Sequence, residues 1–305
     1  MARGAALTVL LSGGSGGAKL SRGLLDVSGE LTVVANTADD VEMYGVHVSP
    51  DPDLVTWWLA DEIDERGWGL RDDTWNVMEA LEAARQSPWF RLGDRDLAMC
   101  LLRTEQLRAG STLTEAHAAV VDAMGVRARV LPMSDKPVAT WVGARGRMVP
   151  FQEFMILQGG EGPIEAVELR GVEEARPTDA VLEAIARAEA IVIGPSNPVI
   201  SIGPILELQG MRAALRDASA PVVAVSPFVG GRSLKGITGE CCQFAGIEQT
   251  ATGIAEAYGD VLDGIVSDEE VTGLPCLVTG TLMASSGDRL ALATKTLDFA
   301  AKLAA

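Results

Sequence analysis

Short apolar runs and stretches of helical spacing alternate along this chain. Thr8–Leu11 (TVLL), Leu31–Ala35 (LTVVA), Ala190–Gly194 (AIVIG) and Pro221–Val225 (PVVAV) are compact, rich in β-branched residues and bounded by turn residues. Such runs suit strands buried on both faces of a parallel sheet. Arg127–Leu131, Ile164–Arg170, Leu262–Val266 and Leu274–Val278 add weaker strand patterns. Helical spacing follows Lys19 at Leu20, Leu24 and Leu25, and returns at Val77–Arg85, Leu97–Leu107, Thr112–Met124, Thr178–Ala188, from Pro204 to Leu215, at Ala251–Tyr258 and at Asp288–Leu303. Ser111 or Thr112 with Glu115 gives one of these helices a capping signature. Pro137–Trp141 and Arg147–Phe151 alternate as a hairpin across Gly143–Gly146, with Phe151–Leu157 extending it. The alternation predicts an α/β fold: a Rossmann-like, doubly wound, mostly parallel sheet in a single domain over residues 1–305. Residues 54–124 are nearly all helical and read as an insertion over the C-terminal edge of the strands, a place for a lid or an acceptor pocket.

The strands end in polar or glycine-rich turns, where open α/β sheets bind ligands. After the first come Gly13, Gly14, Ser15, Gly16 and Gly17, then Lys19. Strand, glycine turn and helix let backbone N–H groups and a helix N-terminus face a phosphate, and Lys19 adds a point charge. The turn is neither a Walker A loop nor a complete dinucleotide fingerprint. The second strand ends in Asn36-Thr37-Ala38-Asp39-Asp40. A short strand at Val46–Ser49 precedes Pro50-Asp51-Pro52-Asp53, which opens a helix. Proline and acids are ordinary at a helix start, which explains one acid there. Four acids on two consecutive strand ends repel one another unless a cation sits among them, and oxygen-only ligation favours magnesium. Ser134 and Asp135 end another strand; Gly194, Ser196 and Asn197 form a second small-residue turn. His47 reads as a surface or packing imidazole. Four of the six tryptophans fall between Trp57 and Trp75, as core or as a wall for a flat ring. Arg91 and Arg95 either neutralise an anion or pair with Asp94 and Asp96.

With 305 residues and 48% hydrophobic content the chain can bury a sizeable core. A formal net charge of −17 argues against nucleic acid and anionic membranes as partners. No apolar run is long enough to span a bilayer, and the residues after Arg3 are strand-like rather than a cleavable leader. Cys100, Cys241, Cys242 and Cys276 form neither a metal spacing nor a disulfide framework, so a reduced, cytoplasmic setting is expected. The adjacent pair Cys241–Cys242 reads as core filling.

Taken together, LSGGSGGAKL, LTVVANTADDVEMYGVHVSPDPD, RGWGLRDDTWN, RLGDRD, LRAGSTLTEA, LPMSDKPV, GPSNPVISIGPIL, VSPFVGG and YGDVLDG resemble the phospholactate transferase family of coenzyme F-420 biosynthesis, which includes phosphoenolpyruvate-type enzymes of actinobacteria. The resemblance implies that a guanosine diphosphate-linked donor passes an acid-phosphate to the terminal ribityl hydroxyl of the deazaflavin Fo, releasing GMP. It also implies magnesium and a homodimer. It associates Asp53 and Arg91 with Fo; for that chemistry, the acids give Asp39, Asp40 and Asp53 as metal candidates and Asp53 and Asp40 as catalytic ones. Gly13–Gly17, Lys19, Ser134, Asp135, Gly194, Ser196 and Asn197 fall to the nucleotide. Pro52 stands where leucine is common in the family, and the tail after Asp268 matches poorly. The transferred acid stays open among lactate, enolpyruvate and glycerate. A nucleotide-binding regulatory protein of related fold is the alternative. A dehydrogenase is disfavoured by the imperfect glycine fingerprint.

Overall fold

The computed structural model describes residues 6–234 and 236–304; Arg3 lies outside them. Strand β1 (Leu7–Ser12) is buried at every position and leads into helix α1 (Gly14–Val27). Strand β2 (Glu30–Ala35) follows, then a hairpin of β3 (Val41–Met43) and β4 (Val46–Val48), and helices α2 (Pro50–Leu59), α3 (Asn76–Ala83), α4 (Asp94–Arg108) and α5 (Leu113–Ala123). The chain returns through β5 (Arg129–Pro132) to β6 (Ala139–Ala144), β7 (Arg147–Pro150), α6 (Phe151–Leu157) and β8 (Ile164–Arg170). Then come α7 (Asp179–Arg187), β9 (Ala190–Ile193), α8 (Gly203–Glu207), α9 (Met211–Arg216), β10 (Val222–Val225), β11 (Phe228–Val229) and β12 (Arg232–Ser233). Helices α10 (Thr238–Ala245) and α11 (Ala251–Tyr258), strands β13 (Gly264–Ser267) and β14 (Cys276–Val278), and helix α12 (Ser286–Leu303) complete it.

Seven strands form one parallel sheet in the order β14-β13-β10-β9-β1-β2-β5. The chain winds outward from β1 to β2 and β5, then starts again at β9 on the other side of β1. The order therefore reverses between β1 and β9, and a crevice opens beyond the carboxyl ends of those two strands. One face of the sheet packs on α1, α2, α5 and α12 through residues such as Leu20, Leu24, Trp58, Val121 and Leu292. The other packs on α7, α9 and α11 through Ile185, Leu215, Ile254 and Tyr258. Burial on both faces is why these strands read as continuous apolar runs. No helix among the described residues is long and apolar enough to cross a membrane.

Three predicted elements differ. Phe151–Leu157 does not extend the hairpin; it is helix α6, because Phe154 packs into a small core with Val142, Val149, Ile237 and Cys241, flanked by Phe151 and Met155 at helical spacing. The helix expected from Pro204 to Leu215 is broken into α8 and α9: Leu208 leaves the helical region (ψ 134°), and Gly210, with a φ of 94°, turns the chain into α9. Strand β4 pairs only with β3, antiparallel and outside the main sheet. Asp51 and Asp53 are thus not at the end of a central strand; they arrive on the first turn of α2, which packs against α1. Cys241 and Cys242 are buried and unpaired in disulfides.

Candidate active site

The loops after β1 and β9 press together at the sheet's reversal point. A Cβ on Gly16 would lie 1.8 Å from the Pro195 carbonyl oxygen, one on Gly17 2.3 Å from Ser12 Oγ, and one on Gly13 2.6 Å from Ser201 Cβ. Gly194 closes against Gly17 in the same way, at 3.0 Å. The glycines are therefore demanded first by loop-on-loop packing. Gly14 alone of the turn adopts a positive φ, 63°, and its N–H donates to Asp51 Oδ1 at 2.7 Å. A cavity of about 600 Å³ lies beside this contact, lined by Gly13, Gly14, Ser15, Gly16 and Lys19 on one loop and by Ser196 and Asn197 on the other, with Asp39 and Asp51 between them. Among the described residues Ser196 Oγ is buried without a partner, as is Thr281 Oγ1 in the same lining; Thr281 lies in the tail where the sequence offered no signal. Asn197 Oδ1 accepts from Val199 and Ile200 N–H, holding its own loop. Ser134 and Asp135 line neither this cavity nor the second one. Ser134 Oγ accepts from Lys136 N–H, and Asp135 takes both the N–H and the hydroxyl of Thr114 at the start of α5. They serve local structure rather than the nucleotide cavity predicted for them.

The acids beside the cavity have different fates. Asp40 holds Ser49 Oγ at 2.8 Å and His47 Nε2 at 2.9 Å, so His47 braces a carboxylate instead of merely packing. Asp51 accepts Asn36 Nδ2 at 3.0 Å besides the Gly14 N–H. Asn36 is fixed in that orientation because its Oδ1 accepts the Ala38 N–H. Asp39 Oδ1 is buried without a well-formed hydrogen bond among the described residues, although Thr140 and Asn36 stand close enough to its carboxyl to ease its charge. Burial, with the charges of Asp51 and Asp40, raises Asp39 well above the usual carboxylate range. Burial lifts Asp51 to about 6, Asp40 adding to it, against the Asn36 and Gly14 hydrogen bonds. Burial also raises Asp40, against His47 and Ser49. Oxygen-only donors, mutual repulsion and one buried oxygen without a well-formed hydrogen bond are what a divalent cation would satisfy.

Asp53 stands apart from that group. Arg103, fully buried on α4, meets its two oxygens with two 2.7 Å hydrogen bonds. Arg103 Nη1 also lies 3.2 Å from His117 Nδ1, and His117 Nε2 3.2 Å from Thr56 Oγ1. The Thr56 hydroxyl donates to Pro52 O, so His117 donates from Nε2 and receives Arg103 at Nδ1. Burial and the Arg103 charge push His117 down to about 3, a neutral imidazole. The charges of Asp40 and Asp51 thus bear on Asp39, and that of Asp40 on Asp51, but among the described residues the oxygens of these three acids do not converge as a three-ligand group. Asp53 shares a second cluster with Asp96 and Cys100, one polar atom of each within 4.8 Å of the others. Arg103, bonded to Asp53 and 3.7 Å from Cys100 Sγ, already supplies the positive charge there.

That second cluster borders a cavity of about 460 Å³ between α2, α4 and the loops of the helical insertion. Trp57, Trp68, Trp75 and Trp89 line it, with Arg66 stacked 4.3 Å from the Trp68 ring and Arg91 5.3 Å from that of Trp75. Arg91 also pairs with Glu82, and Arg95 with Glu62 rather than its neighbouring acids. Two stretches brace this wall reciprocally. Asp73 accepts the N–H groups of Arg95 and Asp96 at the start of α4, while Asp94 accepts those of Asn76 and Val77 at the start of α3. A Cβ on Gly93 would collide with Asp73 Oδ2 at 2.2 Å. Pro50 and Asp51 line both cavities, so the two spaces meet at Asp51. Asn36, Asp51, Arg103 and His117 were not singled out by motif; only the acid count hinted at Asp51.

Among proteins of known structure, a UPF0052-family protein from Bacillus halodurans superposes over 96% of this chain and 98% of its own, with a TM-score of 0.63 at 18% identity, which shows a shared fold. A 2-phospho-L-lactate transferase of Methanosarcina mazei is 41% identical over 86% of both chains. A phosphoenolpyruvate transferase of Streptomyces coelicolor is 41% identical over 85% of this chain and 84% of its own. One from Mycolicibacterium smegmatis is 37% identical over 96% and 98%. The sequence model described as 2-phospho-L-lactate transferase CofD matches residues 8–274, which takes in both glycine turns, the acidic cluster and the tryptophan cavity. The chain belongs to the 2-phospho-L-lactate transferase CofD family.

Proposed function

We propose that this protein transfers an acid-phosphate group from a guanosine diphosphate-linked donor to the ribityl hydroxyl of Fo in coenzyme F-420 biosynthesis. The observation that carries this reading is the pair of cavities joined at Asp51. One is lined by a glycine turn and buried hydroxyls, suited to a nucleotide's phosphates; the other is walled by tryptophans, suited to a planar ring. A transfer enzyme needs two such sites sharing one reaction point, whereas a nucleotide-binding regulator has no use for the second.

In this reading the glycine turn, Lys19 and Ser196 hold the donor's phosphates. The tryptophans and Arg91 hold the deazaflavin, leaving its hydroxyl beside Asp53. Asp53, braced by Arg103, receives the hydroxyl's hydrogen bond on its remaining lone pairs and then its proton. The hydroxyl oxygen forms the new P–O bond, the bond to GMP breaks, and GMP leaves with the electron pair. Asp39, Asp40 and Asp51 would hold magnesium, which neutralises donor charge when bound. This chain's relatives carry two activity names at equal identity, so the donor acid is a matter for experiment.

The test is a competition. Fo, magnesium and the guanylylated donors of phospholactate, phosphoenolpyruvate and phosphoglycerate are supplied together, and products are identified by mass spectrometry. The expected result is GMP together with one dominant acid-phosphate adduct of Fo. No adduct from any donor rejects the transferase reading. Full turnover after exhaustive chelation rejects the metal role.

A further inference from the structure

The wall of the tryptophan cavity contains one acid that the fold does not use. Three carboxylates cluster where α3 and α4 begin. Asp73 caps α4 and Asp94 caps α3, each accepting several hydrogen bonds. Asp96, on the first turn of α4, lines the cavity, and among the described residues its carboxyl oxygens accept no hydrogen bond. Only its backbone N–H is engaged, with Asp73. It is half-buried and its oxygens are not sealed from the cavity. An unpaired carboxyl in an apolar, tryptophan-lined space is costly unless a ligand meets it. Asp53 is its near neighbour, with polar atoms within 4.8 Å, and Asp53 is next to the junction of the two cavities.

Two carboxyls spaced like that along a narrow cavity match a ligand bearing consecutive hydroxyls, the first at the junction and the next one deeper. We propose that Asp96 binds the acceptor's polyol chain, accepting a hydrogen bond from a hydroxyl next to the one that reacts. This rests on the reading of the tryptophan cavity as the acceptor site. Asp96 then fixes the register of the chain, so that the terminal hydroxyl, and no other, stands beside Asp53. Burial, with the Asp53 and Asp73 charges, lifts Asp96 to about 7, so a hydroxyl donor also stabilises the charged form.

The experiment titrates Fo into the wild-type protein, Asp96→Asn and Asp96→Ala, following tryptophan fluorescence. The KM values for Fo and for the donor are measured in parallel. Asn keeps a neutral acceptor and should weaken Fo binding about three- to tenfold; Ala removes it and should weaken it more than tenfold. The donor KM should stay within twofold. An acceptor analogue with the same ring but no internal side-chain hydroxyls should bind wild type and both variants alike. Melting temperatures separate binding from folding, because removing this strained acid should leave Asp96→Asn at least as stable as wild type at pH 8. Unchanged Fo binding in both variants, or equal losses for Fo and the analogue, overturns the proposal. Failure of wild type to bind Fo at all overturns the acceptor reading, and this proposal with it.

Discussion

Replacing Asp51 with asparagine should make the cation-free protein more stable while abolishing turnover. Burial raises the Asp51 carboxyl from 3.8 to about 6. A raised carboxyl binds its proton more tightly in the folded state, so its contribution is present below pH ~4 and lost as pH climbs through about 6. A shift of roughly 2 pH units corresponds to about 3 kcal/mol of penalty above that range. The neutral amide of Asp51→Asn escapes the penalty. Its carbonyl oxygen can keep the Gly14 N–H, but its NH₂ group would face the Asn36 amide, which the Ala38 N–H prevents from turning round. That lost bond costs about 1–1.5 kcal/mol. The net gain at pH 8 is about 1–2 kcal/mol, or roughly 2–6 °C in melting temperature for a protein of this size. Calorimetry at pH 5 and pH 8, in chelator and in magnesium, checks the chain of reasoning. Wild type should lose stability from pH 5 to pH 8 in chelator and regain it with magnesium. Asp51→Asn should show less of both. If the variant melts below wild type at pH 8 in chelator, or if magnesium raises both melting points equally, Asp51 is not a repelled carboxylate awaiting a cation.

Arg103→Met should destabilise the protein by about 3–5 kcal/mol, because Asp53 is then left charged and buried without its partner; urea unfolding measures it, and a loss below 1 kcal/mol would show that the pair is solvated. Gly16→Ala drives a methyl group into the Pro195 carbonyl, so it should lower the melting temperature and weaken GMP binding together; an unchanged affinity would detach the loop contact from the donor site. Arg91→Ala removes a stacked guanidinium from the tryptophan cavity and should raise the KM for Fo at least fivefold while sparing the donor, with equal effects on both placing Arg91 elsewhere.

The central sheet was legible because burial on both faces writes itself as unbroken apolar runs: β1, β2, β9 and β10 fall within a residue or so of prediction. The capping box on α5, Thr112 with Glu115, was equally plain. What pattern could not give was the outcome of long-range competition. Phe151–Leu157 is short and follows a strand, so its helical state is decided by the pocket that receives Phe154. The acids pose the same problem more sharply. Asp51 and Asp53 differ by two positions on one helical turn, and no local rule says which one meets an arginine fifty residues away. Ser134 and Asp135 sit at a strand end like the true cavity residues, yet the nearby start of α5 claims Asp135. The glycines were found, but for an incomplete reason: neighbouring backbone, besides any phosphate, requires their missing side chains.

Each acid at this site is defined by what neutralises it, and following that question places the chemistry. Asp94 is pulled down to about 2 by the Thr74 hydroxyl and the N–H groups at the start of α3, so it is finished as a structural group. Asp53 has a guanidinium on two oxygens and keeps only its outer lone pairs for a ligand. Asp40 has a hydroxyl and an imidazole. Among the described residues Asp39 meets only the neutral side chains of Thr140 and Asn36, one oxygen lacking a well-formed bond, and Asp51 is held only by neutral amides. On a chain whose formal charge is −17, a polyanionic nucleotide beside these two acids calls for local positive charge. In the proposed function that positive charge comes with the substrate complex, as a divalent cation beside Asp39 and Asp51. A phosphate approaching the glycine turn without it would meet the Asp51 carboxylate already seated on the Gly14 N–H. Donor affinity should therefore fall steeply in chelator and recover when divalent cation is added, whereas Fo affinity, which the proposed function assigns to the tryptophans and Arg91, should hardly change. A donor that binds equally well in both conditions would break this account at its electrostatic root.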